Sequence, residues 1–336
     1  MNRRLLITGG NGQVATEYQL GNEVEGWEFY FYTREELDIT NQASIVKMCK
    51  EIYPDAILNL AAYTNVERAE KEDTSKAFDI NSTGSKNLAI VCNKLNIPLI
   101  HISTDYVFDG NTIEPYTEKS LENPINQYGR TKYLGEKWIQ ECHNWYYIIR
   151  VSWVYSSHSK NFLTTMLKLA QERSEVSVVD DQFGSPTSAK EVCRAIDIVL
   201  QNLDKANTGV YHFSGMGRTT WSEFASEIFR QVHVNVKVNG VPASSWPSKV
   251  ERPSNSYMSS EKFAETFGQF PLHWKNALID VIKESRIIPI KVGDSVILEG
   301  VQHIVITTDW LRQVARISPK DNLEKSVEIP FELLML

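Results

Sequence analysis

Along the first 150 residues, short unbroken apolar runs alternate with segments whose apolar side chains return every three or four positions. The runs at residues 5–8, 29–32, 56–60, 99–103 and 147–151 are four or five residues long. That is strand length, and the lack of polar alternation suits strands buried on both faces, as in a parallel sheet. Between them, residues 42–52 place Ile45, Met48, Cys49 and Ile52 on one helical face. Such alternation predicts βαβ units and an α/β fold with a doubly wound parallel sheet.

After residue 152 the pattern loosens. Residues 176–179 read as a further strand and residues 190–203 and 221–232 as helices, while Pro and Ser interrupt residues 242–256. From residue 287 the character changes again. Residues 292–298 and 301–307 flank Glu299-Gly300 as the arms of a hairpin would, and residues 327–331 add a third strand. The chain ends in an apolar tail, Leu333, Leu334, Met335 and Leu336, which should not lie in water. A segment of about 50 residues is marginal as an independent fold, so it is expected to dock on its own body or on a neighbouring subunit.

Composition acts mainly by exclusion. A net charge of −7 over 336 residues leaves no dense basic face for nucleic acid. The four cysteines, Cys49, Cys92, Cys142 and Cys193, form no CxxC pair; a metal knuckle or disulfide framework is not expected, and a reducing compartment is. The apolar run at the N-terminus is too short for a signal peptide, and no apolar run reaches membrane-spanning length. The expectation is a soluble, cytoplasmic protein with no membrane partner.

Chemistry enters at Thr8-Gly9-Gly10-Asn11-Gly12-Gln13-Val14-Ala15, between the first predicted strand and a predicted helix. Gly10, Gly12 and Ala15 satisfy G-x-G-x-x-G/A; Gly9, Gly12 and Ala15 satisfy T-G-x-x-G-x-x-G/A. Both serve a turn with positive φ, a close approach of backbone to pyrophosphate, and helix N–H groups aimed at phosphate. The strand–turn–helix context makes this a dinucleotide site. Where an NAD site usually has an acid after the second strand, this chain has Tyr32-Thr33-Arg34. Arg34 suits a 2′-phosphate, which points to NADPH, with NADH as the alternative and an ion pair to Glu35 or Glu36 as the competing role. Asp38, beyond this turn, suits the adenine. The chain is therefore divided into a dinucleotide-binding Rossmann domain at 1–152, a substrate-binding region at 153–286 interleaved with the end of the sheet, and a C-terminal β-rich extension at 287–336.

Reducing a carbonyl with a nicotinamide requires a proton donor and a group that polarises the oxygen. A tyrosine with a lysine one turn later puts both on one helix face, and the ammonium is expected to draw the phenol down from its usual ~10. Two pairs qualify, Tyr128 with Lys132 and Tyr133 with Lys137, on different faces of one predicted helix. Position favours Tyr128, at the helix start after Asn123-Pro124; Tyr133 reads as packing. Thr104, at the end of the fourth strand, would aim a hydroxyl at the substrate, since ligands in open α/β sheets lie at the carboxyl ends of strands.

Read together, these residues resemble the extended short-chain dehydrogenase/reductase superfamily and, within it, the dTDP-4-dehydrorhamnose reductase family. The matching segments are GGNGQV at 9–14, NLAAYTNV at 59–66, STDYVFDG at 103–110, NQYGRTKYLGE at 126–136, RVSWVY at 150–155 and DQFGSPT at 181–187. The resemblance implies an enzyme that reduces the C4 ketone of dTDP-4-dehydro-L-rhamnose. Tyr128 would be the proton donor, Lys132 its partner and a ribose ligand, and Thr104 the hydroxyl at the carbonyl. Asp105 and Trp153 would contact the sugar. Gly12, Gln13 and Val14 would hold the pyrophosphate, and Asp38, Ile39, Ala62, Tyr63 and Thr64 would line the cofactor. It further suggests Arg252 at the nucleotide diphosphate, Mg²⁺ at a homodimer contact with Glu17 and Glu191 as its nearest ligands, and a homodimer. Residues beyond 287 fall outside the usual family length. The alternatives are a reductase or epimerase of another sugar nucleotide, or a non-catalytic regulatory subunit like the partner of methionine adenosyltransferase.

Overall fold

The computed structural model describes residues 2–21, 24–248, 250–284, 295–298, 301–309, 314–319 and 326–330. In chain order the principal strands are β1 (Arg3–Thr8), β2 (Trp27–Tyr32), β3 (Ala56–Asn59), β4 (Leu99–Thr104), β5 (Tyr146–Val151), β6 (Glu175–Val179), β7 (Gly209–His212) and β8 (Lys237–Val241), then β9 (Ser295–Leu298), β10 (Val301–Asp309), β11 (Val314–Pro319) and β12 (Val327–Pro330). The principal helices are α1 (Gln13–Gln19), α2 (Gln42–Ile52), α3 (Ser85–Leu95), α4 (Gln127–Cys142), α5 (Phe162–Glu172), α6 (Ala189–Gln201), α7 (Trp221–Gln231) and α8 (Trp274–Glu284). They build two compact units. Residues 1–154, 182–218 and 247–272 make the first; residues 155–181, 219–246 and 273–336 make the second.

The first unit is built on a parallel sheet of order β7-β5-β4-β3-β1-β2. Successive side chains of a strand point to opposite faces, and both faces here are apolar. Leu5, Ile7, Leu58, Ile100 and Ile149 pack with Tyr18 of α1 and Val192, Ile196 and Val199 of α6. Leu6, Ile57, Leu99 and Ile148 pack on the other side with Ile45 and Cys49 of α2, Leu88 and Cys92 of α3, and Ile139 of α4. The sheet is thus wound on both faces, as the unbroken apolar runs predict. Asn41 caps α2 by accepting from the Ala43 and Ser44 N–H groups, and Tyr53 ends it in the left-handed conformation. The strand order reverses between β1 and β3, which is where open α/β sheets take their ligands.

In the second unit, α5, α7 and α8 enclose Leu163, Phe224, Ile228, Trp274 and Leu278, and β6 pairs parallel with β8. The last four strands form an antiparallel sheet in simple sequence order. Its Val296, Val305, Ala315 and Ile317 are buried in that same apolar cluster. The C-terminal strands therefore dock on the chain's own body. The Glu299-Gly300 turn and the tail at 333–336 lie outside the described residues. Cys49, Cys92 and Cys193 are buried and Cys142 half-buried, all as free thiols. Among the described residues no helix is long and apolar enough to cross a membrane.

Candidate active site

The glycine turn is shaped for close approach. Gly9 has φ +69°, and a Cβ there would fall 2.7 Å from the Ala61 nitrogen; only glycine meets both conditions. The Gly10 N–H donates to the Tyr32 carbonyl at 2.8 Å and the Gly12 N–H to the Gly9 carbonyl at 2.9 Å. Gly12 is the N-cap of α1 and has no side chain to occupy the first-turn N–H groups. Beside this turn, at the switch between β1 and β3, lies a cavity of about 310 Å³. Its walls include Gly9, Gly12, Arg34, Asp38, Ile39, Ala62 and Tyr63 among the predicted residues. A glycine turn packed this tightly against the β3 end, opening on a cavity with Arg34 in its wall, fits a phosphorylated dinucleotide.

Details of this cavity refine the expectations. Glu36 does not pair with Arg34; its Oε2 accepts from the Thr33 N–H and hydroxyl at 2.8 and 2.9 Å, which holds the carboxyl below its usual range. Asp38 Oδ1 accepts from the Thr40 N–H and hydroxyl. Lys76, which no motif marks, lines the same cavity and lies 5.7 Å from the Tyr63 ring centroid. Gln13, Val14 and Thr64 are not among the cavity's lining residues. The Tyr63 N–H is held by Asn81 Oδ1 at 2.8 Å.

The catalytic candidates converge at the carboxyl end of β4. Asn126 caps α4 by accepting the Gly129 N–H at 2.9 Å, which starts the helix just before Tyr128. Gly129 lets that end press against the Tyr106 carbonyl, where any Cβ would collide. Tyr128 thereby meets the Tyr106 ring edge-on, with centroids 5.7 Å apart, on the side of the Thr104 hydroxyl. Lys132 is buried; its Nζ donates to the Ile102 carbonyl at 2.6 Å and faces His101 Nε2 at 3.3 Å. Tyr133 instead packs on Val107, Phe108, Tyr116 and Met258, with Lys137 Nζ 5.0 Å from its ring centroid.

Electrostatics corrects one expectation. Burial pushes the Tyr128 phenol up from its ordinary value; the Thr104 hydrogen bond opposes this, and Asp105 and Tyr106 add to it. Lys132 does not draw the phenol down, because its amine is turned to the Ile102 carbonyl and His101. Burial lowers Lys132 itself to about 8, against the pull of Glu136. Asp105 is 2% exposed and its Oδ2 has no hydrogen-bond partner; burial raises its carboxyl to about 7.

Behind these groups stands a buried charge cluster that motif reading passed over. Arg150 of β5, fully buried, holds Glu136 of α4 through Nε–Oε1 at 3.0 Å and an Nη2–Oε2 bond at 2.6 Å, and holds Glu122 at 2.6 Å. Ser103, next to Thr104, donates to Glu136 Oε1 at 2.5 Å. Trp153 adopts φ +47°, and its indole lies against Gly184, where a Cβ would fall 2.5 Å from the ring. Arg252 pairs with Glu67 at 3.1 Å and interacts with Tyr106. Within the described residues of the single chain, neither suggested metal ligand belongs to a metal-binding group. Glu191 takes Arg194 on both oxygens at 2.8 Å and the Leu272 N–H at 2.7 Å. Among the described residues no group of three or more His, Cys, Asp or Glu could hold a metal.

Comparison with known proteins agrees with this geometry. The family described as the RmlD substrate binding domain matches residues 3–287. A dTDP-4-dehydrorhamnose reductase of Sinorhizobium fredii is 35% identical over 282 residues, covering 82% of this chain and 95% of that protein. The spore coat polysaccharide biosynthesis protein SpsK of Bacillus subtilis is 35% identical over 281 residues, covering 84% and 97%. A solved dTDP-4-dehydrorhamnose reductase of Bacillus anthracis, in complex with NADP, superposes with a TM-score of 0.81 at 36% identity, covering 84% of this chain and all of that one.

Proposed function

The chain belongs to the dTDP-4-dehydrorhamnose reductase family, and on that premise we propose that it reduces the C4 ketone of dTDP-4-dehydro-L-rhamnose to dTDP-L-rhamnose with NADPH. One observation carries the reading: the Tyr128 phenol lies beside the strand-end Thr104 hydroxyl at the end of β4, and one turn along the same helix the buried amine of Lys132 is held at the Ile102 carbonyl of that strand.

When bound, the nicotinamide supplies the hydride. The chain's own residues do the rest. Gly9 and Gly12 would hold the pyrophosphate, with Gln13 and Val14 in the first turn of α1 beside them though outside the cavity wall; Asp38, Ile39, Ala62 and Tyr63 would line the cofactor, with Thr64 next to them in sequence; Arg34 and Lys76 would face the 2′-phosphate. Lys132 holds the nicotinamide ribose. Thr104 donates to the sugar carbonyl oxygen, and Tyr128 gives that oxygen its proton. A phenol raised by burial stays protonated at neutral pH, as a donor must. Asp105 and Trp153 contact the sugar, and Arg252 the diphosphate.

The test is NADPH oxidation on addition of dTDP-4-keto-L-rhamnose. Replacing Tyr128 by Phe is expected to lower kcat/KM about 10²- to 10⁴-fold with NADPH binding retained. Oxidation only with a different 4-keto sugar nucleotide would move the substrate. No oxidation with any, alongside capture of a stable protein partner, would replace the enzyme by a regulatory subunit. The reading includes a cytoplasmic homodimer, which light scattering of the full chain tests for its stoichiometry.

A further inference from the structure

Trp153 stands in a backbone conformation that a bulky side chain rarely takes. Its φ is +47°, in the left-handed region that the Cβ of an L-residue disfavours. Strain of this kind persists only where the surroundings impose it, and it gathers at ligand sites. Thr104 of β4 is in register with Val151 of β5, so Trp153, two positions further on, lies at the same end of the sheet as Thr104. Its side chain is half-buried.

One segment, residues 182–187, imposes this conformation. Just before Trp153, the Ser152 hydroxyl donates to the Ser185 carbonyl at 2.6 Å. The Trp153 carbonyl itself accepts from the Thr187 N–H at 3.4 Å. The segment is in turn tied elsewhere. The Phe183 N–H donates to the Ser254 carbonyl, and the Phe183 carbonyl accepts from the Ser256 N–H, both at 2.8 Å. The Thr187 hydroxyl accepts the Gly215 N–H at 3.1 Å, and the Ser185 hydroxyl donates to the Gly215 carbonyl. All of these residues belong to the first unit. Between the ties lies Gly184, which is buried and whose φ is not positive. A Cβ there would fall 2.5 to 2.7 Å from Cε2, Cζ2 and Nε1 of the Trp153 indole, its three nearest neighbours. The backbone at 184 would accept another residue; the ring resting on it would not.

We propose that Gly184 is a positioning residue that sets sugar selectivity: its bare backbone seats the Trp153 indole, and the depth of that seat fixes how far the ring projects toward the sugar. The argument turns on which part gives way. The segment around Gly184 is bonded on both sides, whereas the indole is the far end of a half-buried side chain. A methyl group at 184 therefore displaces the ring and leaves the segment in place. The inference rests on reading Trp153 as a contact of the sugar, but its first test needs no turnover.

That test is a ¹H–¹⁵N spectrum of the indole N–H groups in the full chain, with the Trp153 signal assigned as the one lost in Trp153→Phe. In Gly184→Ala that signal is expected to move while the other indole signals stay. An unmoved signal overturns the proposal. The second test titrates dTDP-L-rhamnose, and separately dTDP, into the NADPH-loaded enzyme, where no turnover follows. Gly184→Ala should weaken dTDP-L-rhamnose about tenfold, the lower end of what one methylene decides in a pocket, and leave dTDP unchanged. Equal losses with both overturn the proposal, because a general distortion would produce them. A phenyl ring lacks the outer part of the indole, so in a Trp153→Phe background the same substitution should cost less; an undiminished cost removes the seat. A signal that moves while both affinities hold overturns the selectivity role, and Trp153→Ala then locates the fault. An unchanged dTDP-L-rhamnose affinity in that variant takes Trp153 away from the sugar; a weakened one leaves Trp153 there and removes Gly184 alone.

Discussion

Asp105 shows how far a single side chain is ruled by its surroundings. Its carboxyl titrates near 3.8 when exposed and is raised to about 7 by burial. The fold therefore prefers the protonated form. The resulting stability is complete below 3.8 and lost as pH rises through about 7. Asparagine mimics the protonated acid, so the Tm of Asp105→Asn should gain on wild type between those two pH values and then hold a constant lead, while turnover falls. A lead that is the same at every pH would show that Asp105 ionises freely. At the cofactor, Arg34→Ala should raise the KM for NADPH about tenfold, from the ~1.5–3 kcal/mol of a hydrogen bond to a charged group, and spare NADH; parallel losses with both cofactors would remove Arg34 from the 2′-phosphate. Tyr128, Lys132 and Thr104 were legible in the sequence because helix spacing and strand ends carry geometry. The direction of the Tyr128 shift was not, because it is set first by how deeply the phenol is buried, and because the amine expected to oppose it is held by Ile102 and His101 of β4, a different element.

Elements were most legible where burial is two-sided. The strands β1 to β5 announce themselves as unbroken apolar runs, since helices cover both faces of the sheet. The role of α4's glycines was hidden, because helical glycine normally reads as a weakness. Gly135 sits where any Cβ would meet the Asn81 carbonyl, in the π-helical turn Asp79–Gly84. Alanine there would gain about 1 kcal/mol of helix propensity, but pushing α4 off that turn costs about 1–3 kcal/mol. The second effect wins. Gly135→Ala should lower Tm and, because α4 carries Tyr128 and Lys132, lower kcat as well; an unchanged kcat with a raised Tm would mean that the contact relaxes without moving the helix. The cluster of Arg150, Glu136, Glu122 and Ser103 was equally hidden. Its members lie on three elements and one loop, and only folding brings them together.

At the scale of the molecule, the sequence marks where patterning changes but not where the chain returns. Residues 182–218 and 247–272 come back to the first unit, a return that composition has no means of recording. The docking of the C-terminal strands was legible only as surplus apolar surface. Ile317 is fully buried in the second unit's core, so Ile317→Ala should cost about 2–5 kcal/mol, read as a lower midpoint in urea; a loss below 0.5 kcal/mol, the size of an ordinary surface change, would detach these strands from that core. The interleaving also bears on how the protein is made. Strand β5 has an open edge until β7, Gly209–His212, pairs with it, and bare edges invite pairing with other chains. During synthesis the ribosome exposes that edge well before its cover exists, and the last segment of the first unit emerges later still. Yield in a host cell should therefore respond to chaperone supply and elongation speed more than to substitutions that merely strengthen the finished fold.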